Sequence, residues 1–226
     1  MLRRIALAIG LAVLASTSRA EAGMICVVRE DFTIAAADLE TFAKDPRNAV
    51  ETTSALCLRA GLAPEKDAKV PANYAARVEA ACTKIFARDD TNELCVELAV
   101  RLGKKELAGV TLIDVALGWT LDVWNWDGWQ PRLWVLGQLG DPRGATKIVD
   151  VWKANIDKAK KWEKRSSAMQ AWAGWRKEAA EVIGNVGSSF SEIDFLTEQA
   201  KATKDRYVKK ACVDAANVLR QRIPQQ

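Results

Sequence analysis

The sequence predicts an all-α fold, and three observations carry that expectation. Apolar residues recur at spacings of three and four. Tyr74, Val78, Cys82 and Ile85 form one stripe, Leu94, Leu98 and Leu102 another, and Val208, Ala211, Cys212, Ala215 and Leu219 a third, which is the period of a helix with one buried face. Helix breakers are scarce, with 13 Gly and 6 Pro in 226 residues, and the strict alternation of a half-buried strand is almost missing. The punctuation between stripes is short and built from helix caps, so consecutive helices should fold back on one another as antiparallel pairs.

From the N-terminus, residues 1–22 have the layout of a secretory signal peptide: a basic head Met1–Arg4, an apolar run Ile5–Ala15, and a small polar stretch in which cleavage after Ala20 or Ala22 fits the small-x-small rule. The apolar run falls short of the ~20 residues that a membrane helix needs, as does every later segment. A secreted chain is therefore expected, with the periplasm as its compartment and no transmembrane span after cleavage. The mature chain, 23–226, reads as one helical domain with disulfide-stapled N-terminal helices over 23–103 and a repeat-like part over 104–226. Residues 24–28 should be extended. Helices are expected over 34–44, 47–61, 72–87, 91–103, 105–125, 129–138, 142–160, 166–186, 189–202 and 204–222, with 62–71 as the clearest loop.

The helix boundaries have a recurring chemistry. Gly140 should end one helix in a left-handed conformation, Asp141 cap the next, and Pro142 open it. Gly187 repeats the device, with Ser189 and Glu192 as a capping box. Asp45-Pro46 does so again, and Asp90 with Glu93 has capping-box spacing. These marks fall at a period. "RLG" at 101–103, "QLG" at 138–140 and "NVG" at 185–187 are 37 and 47 residues apart, and "AAEVI" at 179–183 returns as "AANVL" 36 residues later. Such spacings belong to two-helix repeats.

On these residues the stretch 129–222 resembles the HEAT-like repeat family. "LWVLGQLGDPRGATKIVDVW" carries its first helix, Gly-Asp-Pro turn and second helix, while "WRKEAAEVIGNVGSSFSEIDFL" and "DRYVKKACVDAANVL" are weaker copies. The resemblance implies a short right-handed α-solenoid of antiparallel helix pairs, with a concave groove that binds a protein or peptide. An irregular helical bundle is the competing architecture.

The five cysteines are Cys26, Cys57, Cys82, Cys95 and Cys212. Export makes disulfides their default, and none has zinc-site spacing. Cys82 and Cys95 flank the "ARDD" turn symmetrically on inward stripes. Ala80, Ala81 and Ala99 let those helices approach closely enough for a bridge. That leaves Cys26 for Cys57, with Cys57–Cys82 plus Cys26–Cys95 as the competing connectivity. Cys212 should be a buried thiol.

Histidine is absent, which removes the commonest general base, the commonest metal ligand and every Ser–His or Cys–His nucleophile. Asp114 and Asp122, read on one helix, would be about 12 Å apart by helical rise, too far for a glycosidase pair. The expectation is a non-enzyme with no catalytic residue, metal site or cofactor. Cleavage after Ala22 takes the formal net charge from +4 to +2, a balance that argues against a nucleic-acid partner.

The most unusual stretch is "GWTLDVWNWDGWQPRLW" at 118–134, which holds five of the nine tryptophans. Trp124 shares a stripe with Leu117 and Leu121, and Trp129 with Leu133 and Leu136, so both are expected as core wedges. Trp134 lies between Gln130 and Gln138 on a polar line, and Trp126 precedes a short turn. These two, flanked by Asp122 and Asp127, form the candidate contact patch for a protein or peptide partner. Packing against a neighbouring repeat is the competing reading. The alternative ligand is a cell-wall glycan stacked on Trp126 and Trp134 beside Asp127, bound or acted upon. The basic stretches "KANIDKAKKWEKR" and "KATKDRYVKK" read as solvated helix ends, with an acidic partner or anionic surface as the alternative.

Overall fold

A computed structural model describes Cys26 and residues 29–64, 66–124, 126–162 and 166–223. The expected signal peptide, and all of 24–28 except Cys26, lie outside the described residues. The described chain is all-helical apart from one small hairpin. In order it forms α1 (Arg29–Lys44), α2 (Thr52–Leu62), α3 (Tyr74–Phe86), α4 (Glu93–Arg101), β1 (Glu106–Leu107), β2 (Val110–Thr111), α5 (Leu112–Gly118), α6 (Trp126–Leu139), α7 (Pro142–Trp162), α8 (Ser166–Val186), α9 (Phe190–Ala202) and α10 (Arg206–Arg222). It divides into two compact units, Met1–Thr111 and Leu112–Gln226.

In the first unit α1 packs on α2 and α3, and α4 packs on both α2 and α3. Phe32, Leu39, Leu58, Val78, Ile85 and Leu98 fill the space between them. Tyr74 crosses this core: its ring meets Phe32 edge-on at 5.7 Å, and its hydroxyl donates to the Cys57 carbonyl at 3.1 Å. A side chain on Gly61 would collide with that ring. Cys26 is disulfide-bonded to Cys57, with Cα atoms 5.4 Å apart, which ties the start of the described chain to α2. Glu97 is 3% exposed, yet it accepts hydrogen bonds from both Arg59 and Arg101 at 2.8–3.0 Å. Two guanidinium groups thus offset the desolvation of one carboxylate.

Several boundaries differ from expectation, each for a local reason. The helix expected at 47 starts at Thr52, because Asp45 takes the Arg47 backbone N–H into a turn instead. The cap of α4 is Asn92 rather than Asp90: the Asn92 side chain accepts from the Cys95 N–H. The single helix expected over 105–125 is replaced by three pieces. Gly103, at φ +77°, ends α4, with Lys104 N–H reaching the Ala99 carbonyl and Gly103 N–H the Val100 carbonyl. That pair of bonds is a Schellman stop, and it releases the chain from the helix. Ala108 and Gly109 then both take positive φ, which a two-residue hairpin turn requires, and pair Glu106 with Thr111 and Leu107 with Val110. α5 follows for seven residues. Residues 119–124 form no helix, and their burial alternates: Trp119, Leu121 and Val123 are buried, Thr120 and Asp122 exposed. This is the period of two, hidden inside what also reads as a period of three and four.

The second unit is centred on α8, which packs against α6, α7 and α10, while α9 packs on α10. α6, α8 and α10 are successive neighbours, and α5, α7 and α9 likewise. The α8–α10 approach is close enough that a Cβ on Gly184 would fall 2.8 Å from that of Ala215. Arg222, at the end of α10, donates to the carbonyls of Gly184, Asn185 and Gly187, placing a cation at the negative end of α8. The caps at 140–142 are as expected: Gly140 has φ +72°, and Asp141 accepts from the Arg143 N–H at 2.9 Å. Glu192 closes the capping box on Ser189. Gly187, however, is not left-handed; a Cβ there would fall 2.5 Å from the Glu192 carboxylate and 2.7 Å from the Ile183 carbonyl.

The two glycines of the 140–144 turn should respond oppositely to substitution. Gly140→Ala places a Cβ at positive φ and is expected to destabilise the second unit by about 1–2 kcal/mol. Gly144→Ala adds a methyl at ordinary contact distance from Leu136 inside a helix, and should stabilise by about 0.5–1 kcal/mol. Urea unfolding of both variants checks the pair; equal shifts would misplace the turn.

Candidate functional site

The tryptophans of the second unit are mostly structural. Trp172 and Trp175, on α8, have ring centroids 5.5 Å apart and planes 9° apart. Trp124 extends this stack by lying over Trp172 at 5.7 Å. Trp152, on α7, meets Trp172, Trp175 and Phe195 edge-to-face at 5.3–6.3 Å, which sets positively polarised ring edges against negative faces. Cations close the cluster, with Arg176 5.1 Å over Trp172 and Lys153 5.6 Å over Phe195. Trp129, Trp152 and Trp175 are fully buried, and Trp119 and Trp172 nearly so.

The expected contact residues separate on this background. Trp129 is a core wedge, as expected, and Trp124 is a half-buried member of the stack. Trp134 is half-buried on α6. Asp122 is exposed, and its carboxylate accepts the Trp124 N–H at 3.1 Å, so it holds its own turn. Trp126 and Asp127 open α6, but their side chains lie outside the described residues. Asp114, expected on one helix face with Asp122, instead belongs to α5 and pairs with Arg143 at 2.8 Å.

That ion pair borders a groove that sequence reasoning missed. Between α5 and α7, Leu117, Arg143, Thr146, Lys147, Asp150 and Val151 line an open depression of about 450 Å³. Its polar rim is held in place. Asp141 takes two guanidinium nitrogens of Arg143, and Asp114 takes the third. These partners raise the Arg143 pKa, Asp141 foremost, and Arg143 in turn holds the Asp141 carboxyl below its usual range. Lys147 donates to the Leu117 carbonyl at 2.6 Å and so caps α5, while burial lowers its pKa. The available signal was spacing: 143, 147, 150 and 151 share one helical face. In the sequence it is obscured because Leu112–Gly118 reads as one helix with the chain on either side.

A second buried group bears on pH. Glu178, on α8, accepts from Gln130 of α6 at 3.3 Å. Burial pushes its pKa up to about 7, with Lys177 and the Gln130 hydrogen bond acting against the shift. Cys212 is a buried thiol, raised by burial to about 11. Among the described residues no group of three or more Cys, Asp or Glu is placed to hold a metal ion, and no helix is long and apolar enough to cross a membrane. Comparison with known protein families, with curated proteins and with solved structures gives no match to this chain.

Two outcomes follow for the second unit. Trp152→Ala should cost about 3–5 kcal/mol in urea unfolding, and Trp134→Ala much less; equal losses would make Trp134 a core residue. Glu178 holds its proton more tightly folded than unfolded, since its pKa rises from 4.5 to about 7. Its contribution is therefore complete below pH 4.5 and lost as pH rises through 7. Glu178→Gln should flatten stability between pH 5 and 7 and exceed wild type at pH 8 by about 1–3 kcal/mol. Parallel pH profiles for the two proteins would refute the assignment.

Proposed function

We propose that this chain is an exported, non-enzymatic helical-repeat scaffold that binds a protein or peptide through its second unit. The observation that carries this reading is the α5–α7 groove. It has an apolar floor at Leu117 and Val151 and a rim of Arg143, Thr146, Lys147 and Asp150. Small-molecule pockets enclose most of their ligand, whereas this depression is open and fits one or two side chains of a longer segment. Its rim charges are already fixed by Asp114, Asp141 and the Leu117 carbonyl, which lowers the ordering cost of binding. The neighbour pattern of the second unit supports a short HEAT-like solenoid: α6, α8 and α10 follow one another in one row, and α5, α7 and α9 in another. The Cys26–Cys57 bond supports an oxidising compartment such as the periplasm. The glycan alternative rests on Trp126, Trp134 and Asp127; of these, Trp134 is half-buried, which leaves less of its ring face for a sugar to stack on.

A photo-crosslinking residue at Thr146 should yield a discrete protein or peptide adduct in the native host, and Arg143→Ala should weaken it at least about tenfold, the loss of one charge-assisted contact. The same probe at exposed Glu198 should give none. Equal labelling from both positions would remove the groove as the binding face, and retention on a cell-wall glycan column abolished by Trp134→Ala would favour the glycan reading.

A further inference from the structure

Cys82 and Cys95 are both sealed in the first unit, at 1% and 0% exposure. They sit on α3 and α4, helices that pack directly against each other, and the Cys82 thiol is a neighbour of Cys95; the bridge expected between them is not formed, and both are free thiols. Two thiols in contact across a helical hairpin need little movement to bond. They also need an oxidant to reach one of them, and in the closed hairpin neither sulfur is accessible.

We propose that Cys82 and Cys95 are a dithiol–disulfide couple whose state is decided as the chain folds and then locked by closure of the α3–α4 hairpin. The chemistry is two-step exchange with a disulfide oxidant, either a small molecule or a protein. One cysteine thiolate attacks the oxidant, forming a mixed disulfide and expelling one thiolate, which takes up a proton. The second cysteine, losing its proton to solvent, then attacks the cysteine sulfur of the mixed disulfide and expels the second thiolate. Two electrons pass to the oxidant, which leaves as two thiols, and the protein gains one S–S bond. The intermediate carries the oxidant's bulk on a sulfur with no exposed surface, so it forms only while the hairpin is open. Closure also opposes ionisation: the neighbouring Cys82 thiol and burial both raise the Cys95 pKa, and the thiolate is the species that exchanges. A chain that closes under reducing conditions therefore keeps its thiols, and one that closes under oxidising conditions keeps its bridge.

The full chain, produced once in an oxidising compartment and once in a reducing cytoplasm, tests this. Each preparation is denatured in alkylating reagent without reductant, digested and mapped. Oxidised material should give a Cys82–Cys95 linked peptide with Cys212 alkylated. Native protein from the reducing cytoplasm, held for hours with oxidised glutathione before denaturation, should show both Cys82 and Cys95 alkylated. Alkylation of both in the oxidising preparation, or a link from either to another cysteine, would overturn the couple. Formation of the link within minutes in the native reduced protein would overturn the folding-time lock.

Discussion

The second unit depends on where its indole rings go. Trp152 projects from α7 toward two stacked rings on α8 and the ring of Phe195 on α9, so three helices are referenced to one side chain. Rings of this size have few rotamers that avoid collision in a close-packed interior. Trp124 has to reach the same stack from outside the helices, and it does so from an extended segment that buries Trp119, Leu121 and Val123 on its way. The backbone there pays for leaving the helix by borrowing partners. Arg132 donates to the Thr120 carbonyl, Lys147 to that of Leu117, and the Asp122 carboxylate receives the Trp124 N–H. The groove follows from this arrangement, because the Lys147 that lines it is the same residue that ends α5.

The first unit reaches definition by other means. It lacks tryptophan altogether, and its specificity comes from polar fixtures set in an apolar core. The Tyr74 hydroxyl is held by the Cys57 carbonyl, in the residue that also forms the disulfide, so ring, helix and bridge register one another. Glu97, between Arg59 of α2 and Arg101 of its own helix, is a buried charge that any misaligned packing of α2 against α4 would leave with one of its two cations missing.

Legibility in the sequence followed the strength of local signals. The helices from α7 to α10 were readable nearly to their ends, because Gly140, Asp141, Pro142, Ser189 and Glu192 act within a few residues of themselves. The region 103–125 was misread because two periods coexist in it. Leu107, Val110, Leu117 and Leu121 fit a helix, and Trp119, Leu121 and Val123 fit an extended chain. What decided between them was tertiary, namely the stack awaiting Trp124 and the positive φ of Ala108, a conformation a non-glycine residue seldom signals. The candidate patch suffered from the same cause. Tryptophans invite a surface role when counted, but burial is a property of the partner helices. Arg143 and Lys147 went unnoticed as site residues because their partners, Asp114 and the Leu117 carbonyl, acquire meaning only once α5 is seen to end at Gly118.

The division of aromatic residues between the units has an optical consequence. Every tryptophan lies at or beyond Trp119, inside the second unit, so indole emission reports on that unit and is silent about the other. The near-parallel rings of Trp172 and Trp175 are close enough for their electronic transitions to couple, so that emission reports on the packing of α8 in particular. Light thus distinguishes two halves of one chain without any label: indole emission follows the second unit, while the first unit, whose only tyrosine is Tyr74, stays dark whenever excitation is tuned to tryptophan.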